Sequence, residues 1–343
     1  MTMLISALAG DAEIEALLAD AAQLRALLAV EGALAEASAD AGWIAPEAAA
    51  AIVAAAWAFE PDWDGLRAGM ARDGVVVPAL VAQLRATIAA PHGEALHKGA
   101  TSQDIVDTAL MLQLAEVIGV LEGRFTALLA ALDALAETAG DRPLLAHTRM
   151  QAALPTSWAA KFSSWREPLQ RLGRSLTASR RSLLVVQLGG PVGDRGSFGG
   201  HGDEIAAGMA RRLDLGLASP WQATRDPIVA FGSLLALVSG TLGKLGADVA
   251  LLAQTEIGAV TLAGGGGSSA MAHKSNPVAA EVLVALARHN AGLAGTLQQA
   301  MVHEYERSGA AWTLEWLTLP RMLVATGASL RLGLQLVRQM RIA

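Results

Sequence analysis

The sequence predicts an all-α protein, a bundle of long helices packed side by side, and three observations predict it. Alanine and leucine dominate a chain of 343 residues that is 53% hydrophobic and 17% charged, a composition rich in helix formers and poor in β-branched runs. Apolar residues recur at helical spacing over stretches far longer than the globular mean of about 11 to 12 residues. Segments rich in glycine and proline punctuate those stretches at 42–47, 60–65, 72–78, 185–204 and 264–277. Helices that are apolar on several faces need cover on several faces, so the pattern also predicts an oligomer with a shared helical core.

Element by element, the region 1–93 reads as an N-terminal domain of short amphipathic helices, separated by GWIAPE, EPDWDG and RDGVVVP. A central domain, 94–300, carries the long helices. The first opens after TSQD at 101–104 and runs towards Gly140; the second opens at LPTSW, with Pro155 suited to a first turn, and continues through Arg180 and Arg181. The third follows Arg225, Asp226 and Pro227 and ends before the glycine tract at 264. The fourth runs from Val278 to Gln299, and a short C-terminal segment, 301–343, is helical from Trp312. The uncharged run PIVAFGSLLALVSGTLG, 227–243, sits near the lower length limit for a bilayer span. Glycines and serines interrupt it and no aromatic or basic anchors flank it, so it reads as a buried bundle helix and no membrane partner is expected.

Net charge is -6 and the Lys and Arg residues are scattered, which excludes the basic stripe of a nucleic-acid binder. The absence of cysteine excludes disulfides, thiolate metal sites and cysteine nucleophiles. The N-terminal stretch has no basic region before its apolar residues and does not read as a signal peptide, so a cytoplasmic location is expected.

The polar loops carry the chemistry. GGGGSSAMAHKSNP, 264–277, is no phosphate loop, because His273 rather than glycine precedes Lys274 and a helix rather than a strand leads in. Nor is it a nucleophile elbow, since Ala270 stands where glycine is needed. The seven histidines show no recognisable metal-ligand spacing, so no metal is expected. A glycine hinge remains, carrying Ser268 and Ser269 into Lys274, Asn276 as a helix cap, and Pro277. A lysine beside free amides at a helix start suits a carboxylate, and the same groups would steady enolate-like charge on the neighbouring carbon. Ser268 is then placed to carry a proton, and the hinge to close over the substrate.

GSSAMAHKSNP resembles the GSSxMPxKxNP signature of the fumarase/aspartase superfamily, with Ala272 in place of the signature proline. HKGATSQD, 97–104, and HTRMQAALPT, 147–156, resemble its two earlier signature regions in the same order. The resemblance covers essentially the whole chain. It implies a long helical bundle of the fumarase/aspartase kind with a truncated C-terminal domain, and a homotetramer whose active sites are shared between subunits. It also implies addition or elimination across a carbon-carbon bond beside a carboxylate. LPTSWAAKF, GGPVGD and VHEYERSGAAWTLEW are similar to the superfamily's cycloisomerases, which close 3-carboxy-cis,cis-muconate, a small tricarboxylate of aromatic catabolism, to a lactone. Ser275 where adenylosuccinate lyases usually carry arginine weighs against that branch. An adenylosuccinate lyase-like or other β-eliminating enzyme is the alternative, followed by a non-catalytic helical oligomer.

By the same resemblance Ser268, His147 and Glu281 are expected to be catalytic, with Glu281 orienting a histidine. His97, Lys98, Thr101, Ser102, Gln103, Gln222, Arg225, Ser269, Lys274 and Asn276 are expected to bind substrate. Arg149 and Arg307 join them as cations in motif loops, suited to bidentate carboxylate binding.

Overall fold

The computed structural model describes residues 3–267, 271 and 275–343. Six helices come first, all but α3 short: α1 Met3–Ala9, α2 Ala12–Leu17, α3 Asp20–Asp40, α4 Pro46–Trp57, α5 Trp63–Asp73 and α6 Val77–Ala86. The three N-terminal turn signals fall between α3 and α6, where Gly42 and Gly74 take left-handed φ values of 73° and 70°.

Then α7 Ser102–Ala139, the hairpin β1 Pro143–Thr148 and β2 Gln151–Ser157, α8 Trp158–Leu183 and α9 Gly202–Leu213 follow. The chain closes with α10 Asp226–Leu252, β3 Val260–Leu262, α11 Val278–Gln299, α12 Gly309–Gln339 and β4 Met340–Ile342. The all-α expectation holds, with two antiparallel two-stranded sheets, β1 with β2 and β3 with β4, as its only described strands.

Five long helices make the bundle. Asp107 at the start of α7 meets Arg225, just before α10, and Trp312 at the start of α12, so α7, α10 and α12 begin at one end, here called the head. The other two return. Ala159 pairs with Gly140 while Arg180 reaches Glu122, which sets α8 antiparallel to α7. Gly246 faces Ala280 and Gly232 faces Leu297, which sets α11 antiparallel to α10. At the other end, the tail, lie the β1–β2 hairpin, the β3–β4 pair and the start of α11. A continuous apolar core runs from Ile14 through Leu121 and Leu242 to Met340. α10 is the one described helix long and apolar enough to cross a bilayer by length and composition, and the face bearing Leu235, Leu242 and Leu245 is buried against its neighbours.

Three local expectations are corrected. The third long helix stops at Leu252, and the strand β3, Val260–Leu262, leads into the glycine tract where a helix was expected. Pro155 does not open α8; it pairs with Leu145 in the hairpin, and Ser157 caps the helix by accepting from Ala160 N at 3.3 Å. The hairpin wins because a proline lacking an N–H is tolerated in a two-stranded edge, while serine is the better cap. Asn276 does not cap α11. It pairs with Gly266 through two backbone bonds of 2.8 and 2.9 Å, which hold it extended while its amide donates to Gly267 O at 3.3 Å.

Candidate active site

The head collects eight of the expected residues. Thr101 precedes α7, and its N–H donates to Asp104 Oδ2 at 3.0 Å. The Asp104 carboxylate also accepts from Gly189 N at 2.7 Å, Gly190 N at 3.0 Å and Gln187 Nε2 at 3.1 Å, so one acid pins the glycine-dense loop onto the helix start. Gly190 needs its lack of side chain: φ is 70°, and a Cβ would sit 2.4 Å from Ser197 Oγ. Burial pushes the Asp104 carboxyl above the ordinary carboxylate range, against the pull of those four donors.

On the outer side of this platform stand His97, Lys98, Thr101, Ser102 and Arg307. His97 has a left-handed φ of 62°, and its Nδ1 lies 2.7 Å from Glu31 Oε1. Glu31 is fully buried, and its second oxygen has no partner among the described residues. Burial opposes a charge on His97, but the charge and hydrogen bond of Glu31, with the field of Asp104, more than offset it and raise the imidazole above its usual range. Lys98 lies 4.2 Å above the Trp43 ring and donates to Trp43 O at 3.3 Å. His97, Lys98 and Arg307, the last joined to α7 through Gln103, thus put three basic side chains near a helix N-terminus, and that end of a helix attracts anions.

Gln103, Gln222 and Arg225, expected to touch substrate, instead face inward in this chain. Gln103 is 0% exposed, Arg225 1% and Gln222 4%. Arg225 donates to Asp107 at 2.6 and 3.2 Å and to Glu315 at 2.8 and 2.5 Å, and it stacks on Trp221. Two buried acids claim the guanidinium, because an isolated buried carboxylate is far costlier than a paired one. Burial pushes Glu315 up, yet the bonds and charge of Arg225 hold it below the ordinary range. Gln222 donates to Glu306 O at 3.0 Å and so ties down the loop that carries Arg307.

The tail holds the rest. His147 and Arg149 sit in or beside the exposed turn of the β1–β2 hairpin, where Arg149 and Met150 take φ values of 49° and 65°. Two successive left-handed residues are what a tight hairpin turn demands, although neither is the glycine or asparagine that adopts it cheaply. His147 and Arg149 line a cavity of about 700 Å³ with Thr156, Lys161, Asp248 and Gln254. Lys161 and Asp248 were missed by sequence reasoning. Their signal was a lysine in LPTSWAAKF and an acid in the last third of an otherwise apolar helix. Glu281, in the first turn of α11, is exposed, and Asn276 stands at the foot of the glycine loop. Ser268, Ser269 and Lys274 lie outside the described residues. No group of three His, Asp or Glu side chains is set to hold a metal among the described residues.

Head and tail are far apart within one chain. α10 has Arg225 at its start and Asp248 near its end, and its 27 residues span about 40 Å at about 1.5 Å per residue. No small molecule bridges that distance.

A family model described as lyase matches residues 12–292. The chain belongs to this lyase family, the fumarase/aspartase superfamily. It is 39% identical to the 3-carboxy-cis,cis-muconate cycloisomerase of Pseudomonas aeruginosa over 96% of this chain and 74% of that one. It is 36% identical to the nitrosuccinate lyase of Streptomyces davaonensis over 97% of this chain and 73% of that one. The crystal structure of the 3-carboxy-cis,cis-muconate lactonizing enzyme from Pseudomonas putida superposes with a TM-score of 0.94 at 36% identity, covering 100% of this chain and 78% of that one. The chain therefore spans about three quarters of the length of these relatives.

Proposed function

We propose that this chain is a 3-carboxy-cis,cis-muconate cycloisomerase, converting its tricarboxylate substrate to 4-carboxymuconolactone in aromatic catabolism. The observation that carries the reading is the head rim, where His97, Lys98 and Arg307 stand with Thr101 and Ser102 beside the start of α7. A trianion approaching a protein of net charge -6 needs such a local concentration of cations. The high identity to a cycloisomerase and a lactonizing enzyme supports the same substrate.

In the forward reaction a substrate carboxylate oxygen attacks one carbon of a double bond, the pair of π electrons moves to the neighbouring carbon, and a proton is delivered there. The protein supplies no nucleophile, and this chemistry calls for no metal or organic cofactor. Its tasks are to hold the carboxylate against the double bond, steady the enolate-like charge and give the proton. Ser268 carries the proton, Lys274 and Asn276 balance the developing charge, and Ser269 binds substrate. His147 and Arg149 hold a carboxylate, with Glu281 orienting the histidine.

Because head and tail lie about 40 Å apart along α10, the working site forms between chains in a cytoplasmic homotetramer, where the head of one copy meets the tails of others. An exposed, mostly small-residue stripe on α10, including Ala230, Leu237 and Gly240, offers the surface for that packing.

The second reading, a β-eliminating lyase, is favoured by the nitrosuccinate lyase relative. A spectrophotometric assay with 3-carboxy-cis,cis-muconate, run beside nitrosuccinate and adenylosuccinate, decides between them, and turnover of only the latter pair sinks the cycloisomerase. The leaving group then separates the mechanisms. A lactone carboxylate, with a pKa of roughly 4, departs or attacks without a proton, unlike an amine or hydroxide. His147→Gln should therefore lose only about 10- to 100-fold in turnover, while Ser268→Ala loses the roughly 10² to 10⁴ of a working acid or base. Equal damage at saturating substrate would mean that His147 transfers the proton.

A further inference from the structure

We propose that Gln103 is a positioning residue that aims Arg307 at a substrate carboxylate, an inference that rests on the cycloisomerase reading for the substrate's identity. Gln103 is fully buried. Its amide has one permitted orientation. Nε2 donates to Asp107 Oδ2 at 3.1 Å and to the Gln222 carbonyl at 2.9 Å; both partners are pure acceptors, so a flipped amide would set oxygen against oxygen twice. Asp107 cannot turn away, because Arg225 and the Trp312 indole N–H fill its remaining sites.

The amide oxygen of Gln103 is therefore forced outward, where it accepts from Arg307 Nε at 3.1 Å. Pro191 O accepts from Arg307 Nη2 at 3.2 Å, and Pro191 belongs to the loop that Asp104 pins through Gly189 and Gly190. Two protein oxygens thus occupy one edge of the guanidinium. The Nη1 and outer Nη2 hydrogens have no partner among the described residues, and Arg307 is exposed. That free edge, Nη1 with Nη2, is the remaining one that can make two parallel bonds to a carboxylate. The orientation is relayed outward from buried Asp107 through Gln103. Without it the arginine keeps its charge and loses its direction, which weakens binding more than the chemical step.

The test is a double-mutant cycle of Gln103→Met and Arg307→Met, read by calorimetric binding of tricarballylate, a stable tricarboxylate, and by kcat and KM for 3-carboxy-cis,cis-muconate. Gln103→Met is expected to weaken tricarballylate binding about 10-fold and to raise KM alike, with kcat within about 3-fold. In the Arg307→Met background it should change binding no further. The proposal is overturned if Gln103→Met leaves binding unchanged, weakens it equally with and without Arg307, or if the parent chain binds no tricarballylate. Should Gln103→Met fail to fold, Gln103→Asn, one methylene too short to reach both partners, takes its place in the cycle. A parent chain that binds tricarballylate without turning over 3-carboxy-cis,cis-muconate refutes the functional reading alone, and the binding cycle still decides the role of Gln103.

Discussion

Arg225 shows how a residue matched to a substrate-binding position can serve the site from behind. Its guanidinium lies between Asp107 and Glu315, all three 0 to 1% exposed. Removing the cation strands two carboxylates in the core, so Arg225→Ala is expected to cost about 3 to 5 kcal/mol, a loss read directly by urea unfolding. A loss below about 1 kcal/mol would mean that water reaches those acids. His97 gives a pH signature. Its folded pKa is raised, so its contribution to stability is complete below the unfolded value of about 6.5 and is lost as pH rises through the higher folded value. The stability difference between the parent and His97→Asn should shrink as pH rises through that window. A difference that grew with pH would place the imidazole neutral beside Glu31.

At the scale of elements, the packing of α10 on α11 fixes where the tail groups stand. A Cβ on Gly246 would lie 2.6 Å from Ala280 O and 2.9 Å from Leu283 Cβ, so the two helices approach through glycine. Alanine is the better helix former by about 1 kcal/mol, but here the obstruction is backbone and cannot rotate away. Gly246→Ala is therefore expected to be destabilising by about 1 to 3 kcal/mol and to displace the first turn of α11, which bears Glu281. Thermal unfolding checks the first effect and turnover the second. A gain in stability would show that α11 slides freely on α10.

For the whole molecule, the proposed sharing of sites between chains predicts that assembly is a condition of activity. Sedimentation should give a tetramer, and a well-behaved monomer at micromolar concentration would refute it. Complementation probes the sharing itself. Arg307→Ala disables the head and His147→Ala the tail, so each homotetramer is impaired. Mixed, unfolded and refolded together, the two variants should form some sites that draw an intact head and intact tails from different copies, and turnover should rise above that of either variant. No recovery in mixed tetramers would place each site within one chain.

The sequence by itself determined the fold class, four of the long helices to within a few residues, and the family, because helix periodicity and ordered motifs are local properties of the chain. α11 is found at Val278–Gln299 as expected, and α7 spans Ser102–Ala139. It also placed the motif loops, but not the direction in which their side chains point. Thr101 and Gln103 are two residues apart at the start of one helix, and one faces the rim while the other is sealed inside. That choice depends on Asp107, Arg225 and Glu315 meeting across α7, α10 and α12, a contact among residues 90 or more positions apart that no local pattern encodes. The hairpin prevailed over a helical Pro155 for a related reason: Leu145 lay across from it, and only the folded chain brings that partner into reach. Tertiary structure alone likewise set His97 against buried Glu31, since the sign of a histidine's shift depends on a neighbour supplied by a different helix.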